Sequence, residues 1–209
     1  MKKMVIVLIY AAMALAQCSH FTKVHTADFA SIKIGDVPFG WIESQTNKKM
    51  TGHWGVNKEG CLCLLYPRGM NEKEKNLFFT KDHYFKNGEV SVRMKPIEGR
   101  VLDGGVIFRA KDRKNYYAVR IDFSHQKLIV ELIDRKTPKV IYEKKIVANP
   151  NQWHRVRVRF CGKNVIVWFD GKKVLQKEIL QKDLLGGVGV IASGDSQIKF
   201  DDIEIRVAQ

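Results

Sequence analysis

The chain has 209 residues, 45% of them hydrophobic, and carries 36 Lys and Arg against 22 Asp and Glu, a net charge of +14. That is enough chain for one domain with a substantial core, and too apolar for a disordered segment. After the first sixteen residues no stretch is apolar enough for a membrane-spanning helix, and no repeat or low-complexity run marks a second domain.

Lys2 and Lys3 precede an apolar run from Met4 to Leu15 that ends in the small-x-small sequence Ala14-Leu15-Ala16. This pattern predicts a secretory signal peptide over 1–16. Leu15-Ala16-Gln17-Cys18 loosely resembles a bacterial lipobox, with Gln17 where a small residue is usual. Free secretion and a lipid anchor at Cys18 are therefore the two alternatives. In an exported chain the positive charge points to an acidic glycan, a lipid headgroup or a cell-wall polymer, and not to nucleic acid. A solvated basic surface is the plain alternative.

Residues 17–27 are expected to form a mobile leader and 28–209 the folded domain. Strands are predicted near Phe29–Ile34, Gly52–Val56 and Gly60–Tyr66, followed by an exposed loop from Pro67 to Lys75. Asn87-Gly88 predicts a type I′ hairpin turn, since both residues tolerate positive φ. It leads into a strand with Val90, Val92 and Met94 inward and Glu89, Ser91, Arg93 and Lys95 outward. Trp153–Phe160 alternates cleanly, with Val156, Val158 and Phe160 on one face and Arg155, Arg157 and Arg159 on the other. Asp170-Gly171 then turns Asn164–Phe169 back into Lys173–Leu175, and the segment to Leu185 reads as a strand followed by a loop. About a dozen strands without crossover helices predict an all-β fold, an antiparallel β-sandwich of the jelly-roll kind.

Cys61 and Cys63 lie two apart on a predicted strand, so they share a face and are badly placed to bond to each other. Cys161 can pair with either of them in an oxidising compartment. No CxxC occurs and no His stands at ligand spacing, so neither a metal nor another cofactor is expected. Asp195, Asp201 and Asp202 read as turn caps and ion-pair partners in preference to Ca²⁺ ligands.

The order of the motifs carries a resemblance. Gly104-Gly105-Val106-Ile107-Phe108-Arg109-Ala110-Lys111-Asp112, then Asn115-Tyr116-Tyr117 and Arg120, resembles a run found in concanavalin A-like bacterial domains. Trp153-His154 with Asp170-Gly171-Lys172 resembles their central hairpin. Gly187-Val188-Gly189, Asp195-Ser196 and Phe200-Asp201-Asp202 resemble their closing strands, and Gly52-His53-Trp54 with Glu59-Gly60-Cys61-Leu62 their opening ones. The resemblance covers about 38–207 and is similar to the laminin-G-like lectin fold and the 3-keto-disaccharide hydrolase family. It implies a concanavalin A-like jelly-roll β-sandwich of two antiparallel sheets. That fold carries lectins, enzymes and adhesins alike.

Hydrolase-type relatives have a Glu in the strand matching Tyr117–Asp122; here Ala118 stands in that place. Glycoside hydrolysis uses two carboxyl groups across the scissile bond, and Glu131 and Asp134, three apart, face opposite sides of a strand. The expectation is therefore a carbohydrate-binding or surface interaction module, with an acidic polysaccharide as one candidate ligand. A divergent glycoside hydrolase and a structural envelope or adhesion protein are its rivals. Arg109, Asp112, Tyr117 and Arg120 are the expected ligand-binding residues, where Arg offers bidentate donors and Tyr a flat face for a sugar ring. The alternative for these four is an ion pair and a packed ring that lock the hairpin. Trp153 and Trp168 read as core, with a sugar platform as the alternative.

Overall fold

A computed structural model describes residues 18, 20–46, 52–67, 71–182 and 185–208, so the expected signal peptide lies outside the described residues. The strands in chain order are β1 (Phe21–Ala27), β2 (Trp41–Gln45), β3 (His53–Val56), β4 (Leu62–Leu65), β5 (Lys75–Thr80), β6 (Gly88–Glu98), β7 (Asp103–Asp112) and β8 (Asn115–Asp122). They continue with β9 (Lys127–Asp134), β10 (Thr137–Lys145), β11 (His154–Cys161), β12 (Asn164–Phe169), β13 (Lys172–Glu178), β14 (Gly187–Ser193) and β15 (Gln197–Ala208). All pairings are antiparallel.

One sheet has eight strands in the order β13-β12-β11-β6-β15-β4-β3, with β1 added alongside β15; the other has seven in the order β10-β9-β8-β7-β14-β5-β2. The expected all-β sandwich of two antiparallel sheets is what forms. Alternation explains it: Val156, Val158 and Phe160 of β11 and Val90, Val92 and Met94 of β6 enter the core from one sheet. Val106 and Phe108 of β7 and Tyr117, Val119 and Ile121 of β8 meet them from the other. Phe108 stacks on Phe160 across the interior, with ring centroids 4.9 Å apart. Asp170 and Gly171 carry φ of 49° and 77°, as the type I′ turn between β12 and β13 requires.

Four expectations are corrected. Phe21–Ala27, expected within a mobile leader, form β1, with Phe21 opposite Ala208 and Ala27 opposite Ile203. The register of β15 against β6 breaks between Asp201 and Glu204, and β1 pairs with the C-terminal half of β15, whose free edge needs hydrogen-bond partners. Residues 29–34 make turns instead of a strand, and Phe29 is fully buried there.

Asn87-Gly88 is not a hairpin turn, because β5 and β6 belong to different sheets and the chain crosses between them. The Asn87 side chain instead accepts the Gly162 N–H at 2.9 Å, fixing the crossover against the β11–β12 turn. Finally, Cys161 pairs with Cys18 across a Cα separation of 6.3 Å, leaving Cys61 and Cys63 as buried free thiols. A Cys18 sulfur bonded to Cys161 has no valence left for a lipid thioether, so cross-link and lipid anchor exclude each other at this residue.

Candidate functional site

The structure divides the four expected ligand-binding residues. Arg109 is fully buried at an irregularity of β7, with φ of 50°. Its guanidinium donates to the carbonyls of Lys86 and Gly162, each at 2.8 Å, and so ties β7 to the ends of the opposite sheet. Asp112 caps the β7–β8 turn, accepting from the Lys114 N–H at 2.6 Å and from the Asn115 amide at 3.0 Å. Tyr117 points into the core against Phe108, and its hydroxyl donates to the Lys182 carbonyl at 3.0 Å. Arg120, one residue out of phase with the core set, lies on the other face of the seven-stranded sheet.

On that outer face Arg120 anchors a polar ladder. Its guanidinium donates to both oxygens of Glu131 on β9, at 2.8 and 3.0 Å, and to Asp103 on β7. Asp103 accepts in turn from the Ser193 hydroxyl of β14 at 2.9 Å, and Ser193 accepts from the Lys75 ammonium of β5 at 2.7 Å. These are five consecutive strands of the sheet, β9-β8-β7-β14-β5, crossed by one continuous chain of hydrogen bonds. Gly105 stands directly opposite Arg120, where β7 and β8 approach too closely for a side chain. A Cβ at Gly105 would run into the Val119 carbonyl.

Arg120, Asp103 and Glu131 are only 7%, 4% and 2% exposed. Burial alone would lower the Arg120 guanidinium, but the Asp103 and Glu131 carboxylates more than reverse this and raise it. Lys75 goes the other way: burial first, then the positive charge of Arg120, lowers its ammonium from 10.5. Beside the ladder an apolar cluster of Leu77, Phe79, Ile107, Ala118, Ile133 and Ile191 covers the rest of the face. Tyr116 belongs to that cluster, and its buried hydroxyl finds no partner among the described residues. Burial, with the Glu131 charge adding to it, raises the Tyr116 phenol far above its usual range, so it is a neutral donor.

Register recovers what sequence spacing missed. Ala118, where a carboxylate is wanted, pairs directly with Glu131 on the neighbouring strand. The acid therefore sits beside the expected position, on the same face. A signal existed: the β8–β9 turn fixes Asp122 opposite Lys127, and counting back along both strands brings Ala118 to Glu131. Asp103 and Ser193 had only weak signals, and Lys75 had none, since its strand is distant in the chain.

A cavity of about 690 Å³ lies elsewhere, beside Tyr66, Pro67, Glu98 and Arg100. Its polar groups are spent on each other: Arg100 bonds Asp195 at 2.9 Å and Gln197 bonds Glu98 at 2.7 Å. Asp202 accepts from Arg93 at 3.2 Å and from Arg155 at 3.0 Å. Among the described residues no group of His, Cys, Asp and Glu has the arrangement of a metal site. Trp153 and Trp168 are partly exposed on the outer face of the eight-stranded sheet, outside the core in which they were expected.

Solved structures share this architecture. A carbohydrate-binding module of class CBM66 from Bacillus subtilis is similar over 78% of this chain and 93% of its own, with a TM-score of 0.64 and 18% identity. The non-specific endo-beta-1,3(4)-glucanase SCLam of family GH16 is similar over 91% of this chain and 92% of its own, with a TM-score of 0.61 and 11% identity. The carbohydrate recognition domain of Emp47p gives a TM-score of 0.61 at 13% identity, over 91% of this chain and 98% of its own. At such identities the likeness shows the fold alone, a jelly roll shared by binding modules and glucanases. No curated protein matches the chain in sequence. The description of the 3-keto-alpha-glucoside-1,2-lyase-like domain matches residues 35–206, which span β2 through most of β15, and the chain belongs to that family.

Proposed function

We propose that this chain is an exported carbohydrate-binding protein whose ligand lies on the outer face of the seven-stranded sheet. The observation that carries this reading is the position of Arg120 between Asp103 and Glu131. A glycoside hydrolase holds the scissile bond between two carboxyl groups; here a guanidinium already fills that place. What remains is a fixed row of donors and acceptors beside a buried apolar cluster, with the Tyr116 hydroxyl unpartnered among the described residues. The Cys18–Cys161 disulfide supports export, since such bonds persist in oxidising compartments.

A second reading, a lyase acting on a 3-keto-glucoside, is favoured by Lys75, whose ammonium is lowered by burial and stands in the ladder. Lys75, in its amine form, would take the C2 proton next to the ketone. The C1–O bond then breaks, a C1=C2 double bond forms, and the proton held by Lys75 passes to the departing alkoxide.

A glycan array with the wild type and Tyr116→Phe tests the first reading. Tyr116→Phe should bind its glycan roughly five- to tenfold more weakly, the effect of one lost hydrogen bond to a ligand oxygen, with an unchanged melting temperature. Wild type that binds no glycan at micromolar concentration, or Tyr116→Phe that binds equally well, overturns it. Release of a free sugar from a 3-keto-disaccharide by wild type but not by Lys75→Met would replace it with the second.

A further inference from the structure

The outer face of the eight-stranded sheet has its own chemistry. Arg155, Arg157 and Arg159 of β11 share it with Arg93 of β6 and Arg206 of β15, and the carboxylates among them are Glu89, Asp202 and Glu204. Asp202 holds Arg155 at 3.0 Å and Arg93 at 3.2 Å. Glu89 holds Arg159 at 2.8 Å, and Glu204 holds Arg206 at 2.5 Å. These pairs leave Arg157, which among the described residues has no carboxylate within the 4.0 Å of a salt bridge.

Arg157 instead lies over the Trp168 ring, 3.8 Å from its centroid, and the two residues are directly opposite in the β11–β12 register. Stacking occupies the flat face of the guanidinium and leaves its N–H edge, the part that grips an anion in two parallel hydrogen bonds, pointing sideways. That edge borders a cavity of about 290 Å³ lined by Arg155, Arg157, Arg206, Trp168, Glu89 and Glu204. The volume lies just under the usual range for small-molecule pockets and suits a single sugar ring. Arg155 and Arg159 flank Arg157 at about 7 Å along the strand, but Asp202 and Glu89 neutralise them, so the uncompensated charge of the stripe is that of Arg157.

We propose that this face is a second ligand site, which binds an acidic polysaccharide through a carboxylate or sulfate group clamped by Arg157 on Trp168. It is independent of the ladder, from which the whole core separates it. A nucleic acid is also polyanionic, but a disulfide-bearing chain belongs to an oxidising compartment, where glycans are the prevalent acidic polymers.

Titration of the full chain with polygalacturonate, dextran sulfate, neutral dextran and duplex DNA tests it, using Arg157→Gln, Arg157→Lys and Tyr116→Phe. Polygalacturonate or dextran sulfate should bind, the stronger of the two telling carboxylate from sulfate. Arg157→Gln should weaken that binding roughly tenfold or more, the loss of a charge-assisted pair. Arg157→Lys should fall between, because an ammonium keeps the charge and loses the fork, and Tyr116→Phe should bind like wild type. Undiminished binding by Arg157→Gln or Arg157→Lys overturns the clamp, and DNA bound as tightly at equal charge reduces the face to general polyanion attraction. Wild type that binds neutral glycans but neither acidic polymer overturns this site and leaves the ladder reading standing.

Discussion

Arg120 is buried with Asp103 on one side and Glu131 on the other, so deleting Arg120 leaves two uncompensated carboxylates out of water. Breaking such a group costs about 3–5 kcal/mol, so the neighbouring Tyr116 hydroxyl is the cleaner probe of ligand contact. Cys63 illustrates the same cost for a neutral group. Burial pushes its thiol from 9.0 up to about 11, with the nearby Cys61 adding to the effect. The folded protein therefore holds this proton more tightly than the unfolded chain. The resulting stability is fully present below about pH 9 and is lost as pH rises toward about 11. The slope of unfolding free energy over that window should be shallower in Cys63→Ala than in wild type. Parallel slopes would show that the thiol is not buried as described.

Among the elements, β1 depends most on long-range partners. Its sequence, Phe-Thr-Lys-Val-His-Thr-Ala, is largely exposed, and it is held by the edge of β15, by the disulfide just before it, by contacts of Phe21 with Arg159 and of His25 with Trp41, and by Ala27 in the core. That bond closes a loop with a sequence separation of 143 residues. Cys161→Ser should lower the stability by about 2–5 kcal/mol, measured by urea denaturation without reductant. A change below about 1 kcal/mol would mean that β1 holds its place without the cross-link.

The same strand shows what the sequence can and cannot say. Alternation made Val156, Val158 and Phe160 readable as core, and Asp170-Gly171 as a turn, because both are local properties. The Cys18–Cys161 pair depends on β1 reaching β15 and on β6 lying between β15 and β11, which no local pattern encodes. Asn87-Gly88 failed for the mirror reason: a sound turn dipeptide stands at a crossover between sheets, where no hairpin is available.

For the whole molecule, the family resemblance and the fold were readable from motif order, while the site was readable only in part. Arg120 was singled out, yet its companions Lys75, Asp103, Glu131 and Ser193 come from four other strands and meet only once the strand order is known. The Arg155, Arg157 and Arg159 stripe was visible as a stripe, but that two of the three are neutralised and the middle one is not is a property of neighbouring strands. The outward surfaces thus differ: one carries a buried ladder of alternating charge, the other an exposed basic field with one uncommitted guanidinium.

The pairing of Phe21 with Ala208 sets the two ends of the described fold side by side. Both connections to any host sequence leave from one spot, so the sandwich can be grafted into a loop like a bead on a single stalk. It can also be circularly permuted, by linking the two ends and reopening the backbone at the exposed Asp170-Gly171 turn. The permutant should keep the wild-type circular dichroism spectrum and melt in one cooperative step. A broad, non-cooperative melt would mean that the unbroken β12–β13 hairpin is what organises the rest.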